Sequence, residues 1–120
     1  MNTRNFGDQG ENVAAGYLRK NGYRIRAQKF CAPMGEIDIV AEFSGEIIFA
    51  EVKTRRSIRF GLPSQAVNWR KQRKIILTAQ CYIQQYRLEE RNCRFDILEV
   101  YCTPAGSWSV RHLKNAFEVE

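Results

Sequence analysis

Two stretches of this chain carry apolar residues at helical spacing, and five carry the alternation or dense β-branched content of strands. The first helix is expected from near Asp8 to about Asn21, with Asn21-Gly22 as its terminator, and Glu11, Ala14, Ala15 and Leu18 form its inner stripe. Tyr23 to Phe30 reads as a strand, with Tyr23, Ile25 and Ala27 alternating against Arg24, Arg26 and Gln28. Two further β-rich runs, beginning at Gly35 and ending at Lys53, flank the turn dipeptide Ser44-Gly45. Gly61 and Pro63 make Ser57 to Pro63 a loop. A second helix, capped by Asn68, is expected from Trp69 to about Arg87. Its inward stripe reads Ile75, Ala79, Tyr82, Ile83 and Tyr86, with Gln72 one turn earlier, while Trp69 and Trp108 read as core or core margin. Arg94 to Cys102 and Trp108 to Leu113 complete the strands, and Asn115-Ala116-Phe117 is expected to form a short closing turn. The order is helix, three strands, helix, two strands. It predicts an α/β sandwich with a mixed central sheet rather than a regularly alternating doubly wound fold.

The central hairpin carries the chemistry. If Ser44-Gly45 is the loop, Phe43 pairs with Glu46 and, counting outwards, Asp38 sits opposite Glu51. Directly opposed side chains lie roughly 4.5–5.5 Å apart at Cβ, and like charges there are destabilising. Lys53 follows Glu51 on the same face by strand alternation. Ile37, Ile39, Ala41 and Phe43 with Ile48, Ala50 and Val52 make the other face apolar, and Val40 opposite Phe49 makes the charged face partly so. A sheet apolar on both sides is normally covered on both sides, so these charges are expected at one end of a buried sheet. A solvated strand face would carry Glu-x-Lys by chance; the opposed Asp38 favours a divalent cation held between the carboxylates. Glu11, on the buried stripe of the first helix, is either a carboxylate interacting with the helix N-terminus or a third acidic group aimed at the hairpin.

Length and composition narrow the class. A chain of 120 residues is expected to form one domain with a single core. The longest apolar run, Ile47 to Ala50, cannot span a bilayer, and the polar first residues lack a signal-peptide core, so a cytoplasmic location is expected. Cys31, Cys81, Cys93 and Cys102 form no C-x-x-C pair and read as reduced, mostly buried thiols. His112 is the only histidine, which argues against a zinc site and against a Ser-His-Asp triad not built on it. No glycine-rich phosphate loop of standard spacing is present. The net charge of +6 favours a polyanionic partner, nucleic acid first. Arg55, Arg56 and Arg59 follow the hairpin, and Arg70, Lys71, Arg73 and Lys74 cluster beyond it. These cations flank the acidic constellation in sequence, as a site drawing phosphate towards a metal would require.

The ordered set Gly10-Glu11, Ala14-Ala15, Gly22-Tyr23, Gly35-Glu36-Ile37-Asp38, Glu51-Val52-Lys53-Thr54-Arg55, Lys71-Gln72 and Arg94-Phe95-Asp96 resembles the PD-(D/E)XK nuclease superfamily. The resemblance is closer to its YraN-like family of predicted endonucleases, related to archaeal Holliday junction resolvases. It implies a restriction-endonuclease-like three-layer sandwich and a metal-dependent phosphodiesterase. On matching positions, Asp38 and Glu51 would ligate Mg²⁺ or Mn²⁺ with help from the Val52 carbonyl. The ion would polarise the scissile phosphate and activate a water. Lys53 would orient that water or stabilise charge on the phosphate, Glu11 would complete the acidic shell, and Gln72 would position the lysine or the substrate. Ile37 stands where the superfamily has proline before the aspartate. The expected activity is hydrolysis of DNA phosphodiester bonds on branched or repair intermediates, with Arg55, Arg56, Arg70, Lys71 and Lys74 binding the DNA. Junction resolvases of the superfamily act as dimers, and the resemblance extends a homodimer to this chain. The alternative is a non-cleaving nucleic-acid-binding module on the same fold.

Overall fold

A computed structural model describes residues 5–56 and 67–118. The expected loop at 57–63 and Arg59 lie outside them. Five strands form one sheet in sequential order, with a helix on each side. In chain order the elements are α1 (Phe6–Lys20), β1 (Arg24–Ala32), β2 (Gly35–Phe43), β3 (Glu46–Arg55), α2 (Trp69–Gln85), β4 (Cys93–Cys102) and β5 (Trp108–Phe117). β3 and β4 run parallel, joined by the crossover that carries α2, and the other neighbours are antiparallel. The mixed-sheet α/β sandwich expected from the pattern is the fold, in the three layers that the resemblance implies.

α1 starts two residues earlier than the apolar stripe suggests, because Asn5 accepts the backbone N–H of Asp8 at 2.7 Å and caps the first turn. It ends as expected. Gly22, at φ +90°, lets the N–H of Tyr23 return to the Leu18 carbonyl at 2.9 Å. Asn68 caps α2 through the Lys71 N–H at 2.9 Å. Tyr86 is not part of the inward stripe: it is 47% exposed at the helix end, and Thr78 takes a buried place instead. Trp69 is 71% exposed rather than at the core margin, whereas Trp108 is half-buried and stacks on Phe6. None of the four cysteines is fully buried, and Cys31 is exposed. No closing turn forms at 115–117; β5 continues to Phe117 past an irregularity in its pairing with β4.

Both sheet faces are apolar and both are covered. α2 closes over Ile37, Val40, Phe49, Phe95 and Ile97, and α1 over Ile39, Ala41, Ile48, Leu98 and Val100. Two departures from strict alternation matter for the site. β1 carries a bulge between Ile25 and Ala27, so Ile25 faces α1 whereas Ala27 faces α2, and Gln28 returns to the α1 side. β2 changes phase at Asp38. Ile37 belongs to the α2 side and Ile39 to the α1 side, against the expectation that both share a face.

α1 approaches β3 most closely at Gly10, where an added Cβ would lie 2.7 Å from Thr54 Cβ and nearer still to Oγ1 and Cγ2. Gly16, on the solvent side of the same helix, has nothing within 4 Å of such a Cβ. Gly10→Ala is therefore expected to destabilise the protein by about 1–3 kcal/mol through overpacking. Gly16→Ala should stabilise it by up to about 1 kcal/mol through helix propensity. Urea denaturation of the two variants checks this opposition of sign.

Candidate metal and phosphodiester site

The hairpin register is the one the Ser44-Gly45 loop dictates: Phe43 pairs with Glu46, Val40 with Phe49 and Ile39 with Ala50. The ladder stops there. One residue on, at Asp38 and Glu51, the ladder pairing is absent. Asp38 Oδ2 takes the Val52 N–H at 2.8 Å in place of a backbone carbonyl. N–H and C=O of one strand residue point to the same side, so the Val52 carbonyl is aimed at the same gap.

The charged groups meet around this gap rather than on one face of the hairpin, because β2 changes phase there. On the α1 side, Asp38, Glu11, Asp8 and Lys29 line a cleft of about 340 Å³, with Lys53 at its border. Glu11 is buried in the first turns of α1, where the close Gly10–Thr54 contact holds it against the sheet. Its carboxylate accepts from Gln28 Nε2 and Lys29 Nζ, both at 3.0 Å, and Lys29 also meets Asp8 at 3.0 Å. Glu11 thus points inward, at β1 and into the cleft that Asp38 also lines. From the α2 side comes Glu51, also buried, with Lys71 Nζ 2.7 Å and Lys53 Nζ 3.7 Å from its Oε2.

Electrostatics follow from this crowding. Burial, then the negative charge of Glu51, push the Asp38 carboxyl up to about 7, Glu11 adding to the rise and the Val52 N–H opposing it. Burial works against the Lys71 ammonium, but its hydrogen bond and attraction to Glu51 outweigh that and raise its pKa. Asp8 and Glu11, hydrogen-bonded to Lys29, hold its ammonium well above the ordinary range.

Gln72 does not reach these groups. Its amide donates to the Val67 carbonyl at 3.0 Å, and Lys71 is the α2 side chain that enters the site. Of the other cations, Arg55 Nε lies 3.3 Å from the buried Glu99, Arg56 sits 4.0 Å over the Phe6 ring, and Arg70 and Lys74 are exposed. Lys29, Asp8 and Glu99 escaped the sequence reading. The two-residue link Pro33–Met34 pairs Ala32 with Gly35 and, counted back, Lys29 with Asp38, the same reasoning that placed Glu51. Glu99 had a different signal: a carboxylate within the otherwise apolar strand run Ile97 to Tyr101. It is held by Arg55 and the Tyr101 hydroxyl.

A second buried polar group, Asp96, lies on β4. It accepts from His112 Nε2 at 2.7 Å, Arg94 Nε at 3.0 Å and the Asn115 N–H at 2.9 Å. Burial alone would raise this carboxyl, yet these partners hold it below the usual range. His112 Nδ1 meets Tyr17 OH at 3.2 Å, so the only histidine ties β4 and β5 to α1.

The donor set suits a hard divalent cation. Mg²⁺ binds through one or two carboxylates and otherwise keeps water or phosphate oxygens, and Asp38, Glu51 and the Val52 carbonyl supply that much. Among the described residues no three His, Cys, Asp or Glu side chains are placed to hold an ion unaided.

The raised Asp38 carboxyl has a consequence for stability. The folded state holds this proton to about pH 7, whereas the unfolded chain releases it near the ordinary 3.8. The folded state therefore binds more protons between those values, and stability falls as pH rises through that window. The metal-free protein should lose Tm between pH 5 and pH 8. Asp38→Asn should flatten that dependence and raise Tm at pH 8, read by thermal denaturation in chelator.

The model of UPF0102, described as an uncharacterised protein family, matches residues 10–100, which span every group in the cleft from Glu11 to Lys53 and also Lys71 and Glu99. A UPF0102 protein of Caldanaerobacter subterraneus subsp. tengcongensis is 45% identical, the match covering 98% of each chain. One of Trichlorobacter lovleyi is 46% identical over 94% of this chain and 90% of its own. One of Clostridioides difficile is 42% identical over 98% and 100%. With relatives matched almost end to end and the family model running from α1 into β4, the chain belongs to the UPF0102 family.

Proposed function

We propose that this protein is a metal-dependent endonuclease that hydrolyses DNA phosphodiester bonds. The observation that carries the reading is the convergence of Asp38 and Glu51, with Lys53, at the point where the β2–β3 ladder ends. A fold does not bury opposed carboxylates without a compensating gain, and a divalent cation is the ligand whose binding supplies it. When bound there, Mg²⁺ or Mn²⁺ would polarise the phosphate and make a water acidic enough to act as nucleophile near neutral pH.

The protein's own groups do the rest. Asp38 and Glu51 hold their oxygens on either side of the gap, Asp38 fixed by the Val52 N–H. Lys53, half-buried at the border of the cleft, is available to neutralise charge gathering on the phosphate oxygens. Lys71 shares a Glu51 oxygen with it and would turn to the phosphate once a cation competes for that oxygen. Glu11, tied to Gln28 and Lys29, keeps the α1 side of the cleft acidic and fixed. Arg56, Arg70 and Lys74 present free charge around the mouth, in keeping with the net charge of +6.

One observation favours a second reading. Lys29, Lys53 and Lys71 already pair with Asp8, Glu11 and Glu51, so much of the acidic charge is compensated internally. A nuclease-like fold that binds nucleic acid without cutting it would keep such pairs for stability.

Calorimetry with Mg²⁺ and Mn²⁺, and a cleavage panel of single-stranded, duplex, flap and four-way DNA, separate the two. The nuclease reading expects millimolar or tighter metal binding that Asp38→Ala removes, and metal-dependent cuts. Lys53→Ala should abolish cleavage while changing DNA affinity less than about twofold. Neutralising Arg70 and Lys74 together should weaken binding and lower the salt slope by up to about 0.9 per lost phosphate contact. DNA binding with neither metal uptake nor cleavage would establish the binding module instead.

A further inference from the structure

We propose that the outer face of the first turns of α2 is a stacking platform for an unpaired nucleobase, so that the favoured nucleic acid carries single-stranded bases beside the acidic cleft. The inference rests on the nucleic-acid reading above and names the substrate class that reading leaves open. Its centre is Trp69, the most exposed large apolar side chain among the described residues at 71%. The indole borders a groove of about 450 Å³ whose apolar lining includes Ile76 and Leu77. Gln72 and Gln80 add amides, which suit the polar edges of a base, and Glu118 contributes one acidic group. The Arg73 guanidinium lies over the Trp69 ring, 5.6 Å from its centroid, and puts a cation at the stacking surface.

The occupant follows from charge. α2 carries Arg70, Lys71, Arg73 and Lys74 in its first six residues and no acidic residue in its length. At about 100° per residue these cations follow one another around the helix from Trp69 through Arg73, Arg70 and Lys74 to Lys71. Arg73, Arg70 and Lys74 are exposed, and Lys71 ends the arc 2.7 Å from Glu51. A band of positive charge thus joins an exposed aromatic to the carboxylates, across a helix about 10–12 Å wide. A second copy of this chain would bring its own cations against the same band. A single strand brings phosphates to the arc and a base to the indole, the combination by which single-stranded nucleic acid is held. In a duplex the bases are paired and stacked on one another, so none is free for Trp69.

The test uses indole fluorescence in a Trp108→Phe background, where Trp69 is the one tryptophan, with chelator present so that nothing is cleaved. An oligothymidylate should quench Trp69, and a blunt duplex of equal length should bind with little quenching. Trp69→Ala should weaken oligothymidylate binding about tenfold, at the lower end of what stacking one base supplies, and change duplex affinity less than twofold. Trp69→Phe should recover most of the loss. Equal weakening on both DNAs, or binding of the single strand without quenching, would overturn the platform while leaving the nuclease reading standing. So would a Trp69→Ala variant that dissociates a dimer in sedimentation yet binds both DNAs normally, since the face would then be a self-interface. Failure of the parent protein to bind either DNA would overturn the platform together with the nucleic-acid reading beneath it.

Discussion

The repulsion between Asp38 and Glu51 is the constraint around which this structure is arranged. Two carboxylates brought abreast by a hairpin cannot both stay charged and buried without help. The fold offers help in three forms. The β2–β3 ladder ends before that residue, and Asp38 takes the Val52 N–H instead. Lysines arrive at Glu51 from two different elements, Lys53 from β3 and Lys71 from α2. The Asp38 carboxyl keeps its proton to about pH 7, which removes the remaining conflict at lower pH. A divalent cation would replace all three devices with one.

Such a site needs rigid walls, and the apolar layers provide them. Because both sheet faces are covered, every element that contributes a charge is anchored by core contacts within a few residues. Leu18 and Ala15 fix α1 on one side, and Ile75 and Ala79 fix α2 on the other. The contact of Gly10 with Thr54 brings the α1 backbone close enough for Glu11 to be buried. On the neighbouring strand β4, Asp96 draws Arg94, His112 and the Asn115 N–H around it. That network is fully paired and ties α1, β4 and β5 together, the arrangement in which a buried polar group adds specificity instead of strain.

The charged surface divides along the same geometry. Arg55 and Lys71, which sequence alone groups with the DNA-binding cations, are engaged by the buried carboxylates Glu99 and Glu51. Arg70, Arg73 and Lys74 remain exposed. Cations paired with buried carboxylates and cations left exposed are therefore neighbours in the chain, and only their place in the fold separates them.

The local pattern determined most of the fold. Spacing placed both helices, Asn68 and Asn21-Gly22 marked two of their ends, and Ser44-Gly45 set the hairpin register from Phe43–Glu46 to Ile39–Ala50. These features depend on residues close in sequence, which is why they are legible there. The site needed more. A bulge at Arg26 and the phase change at Asp38 are breaks in alternation, and no count of apolar positions anticipates where a strand will slip. They decide that Gln28 meets Glu11, that Ile37 leaves the face of Ile39, and that the acidic groups surround a gap rather than share one face. The exchange of Gln72 for Lys71 at Glu51, and the exposure of Trp69, depend on how α2 is rotated against the sheet. That rotation is set by packing of Ile75, Ala79 and Tyr82 against strands distant in sequence. Only the tertiary structure could decide it, because side-chain contact between remote elements has no local signature.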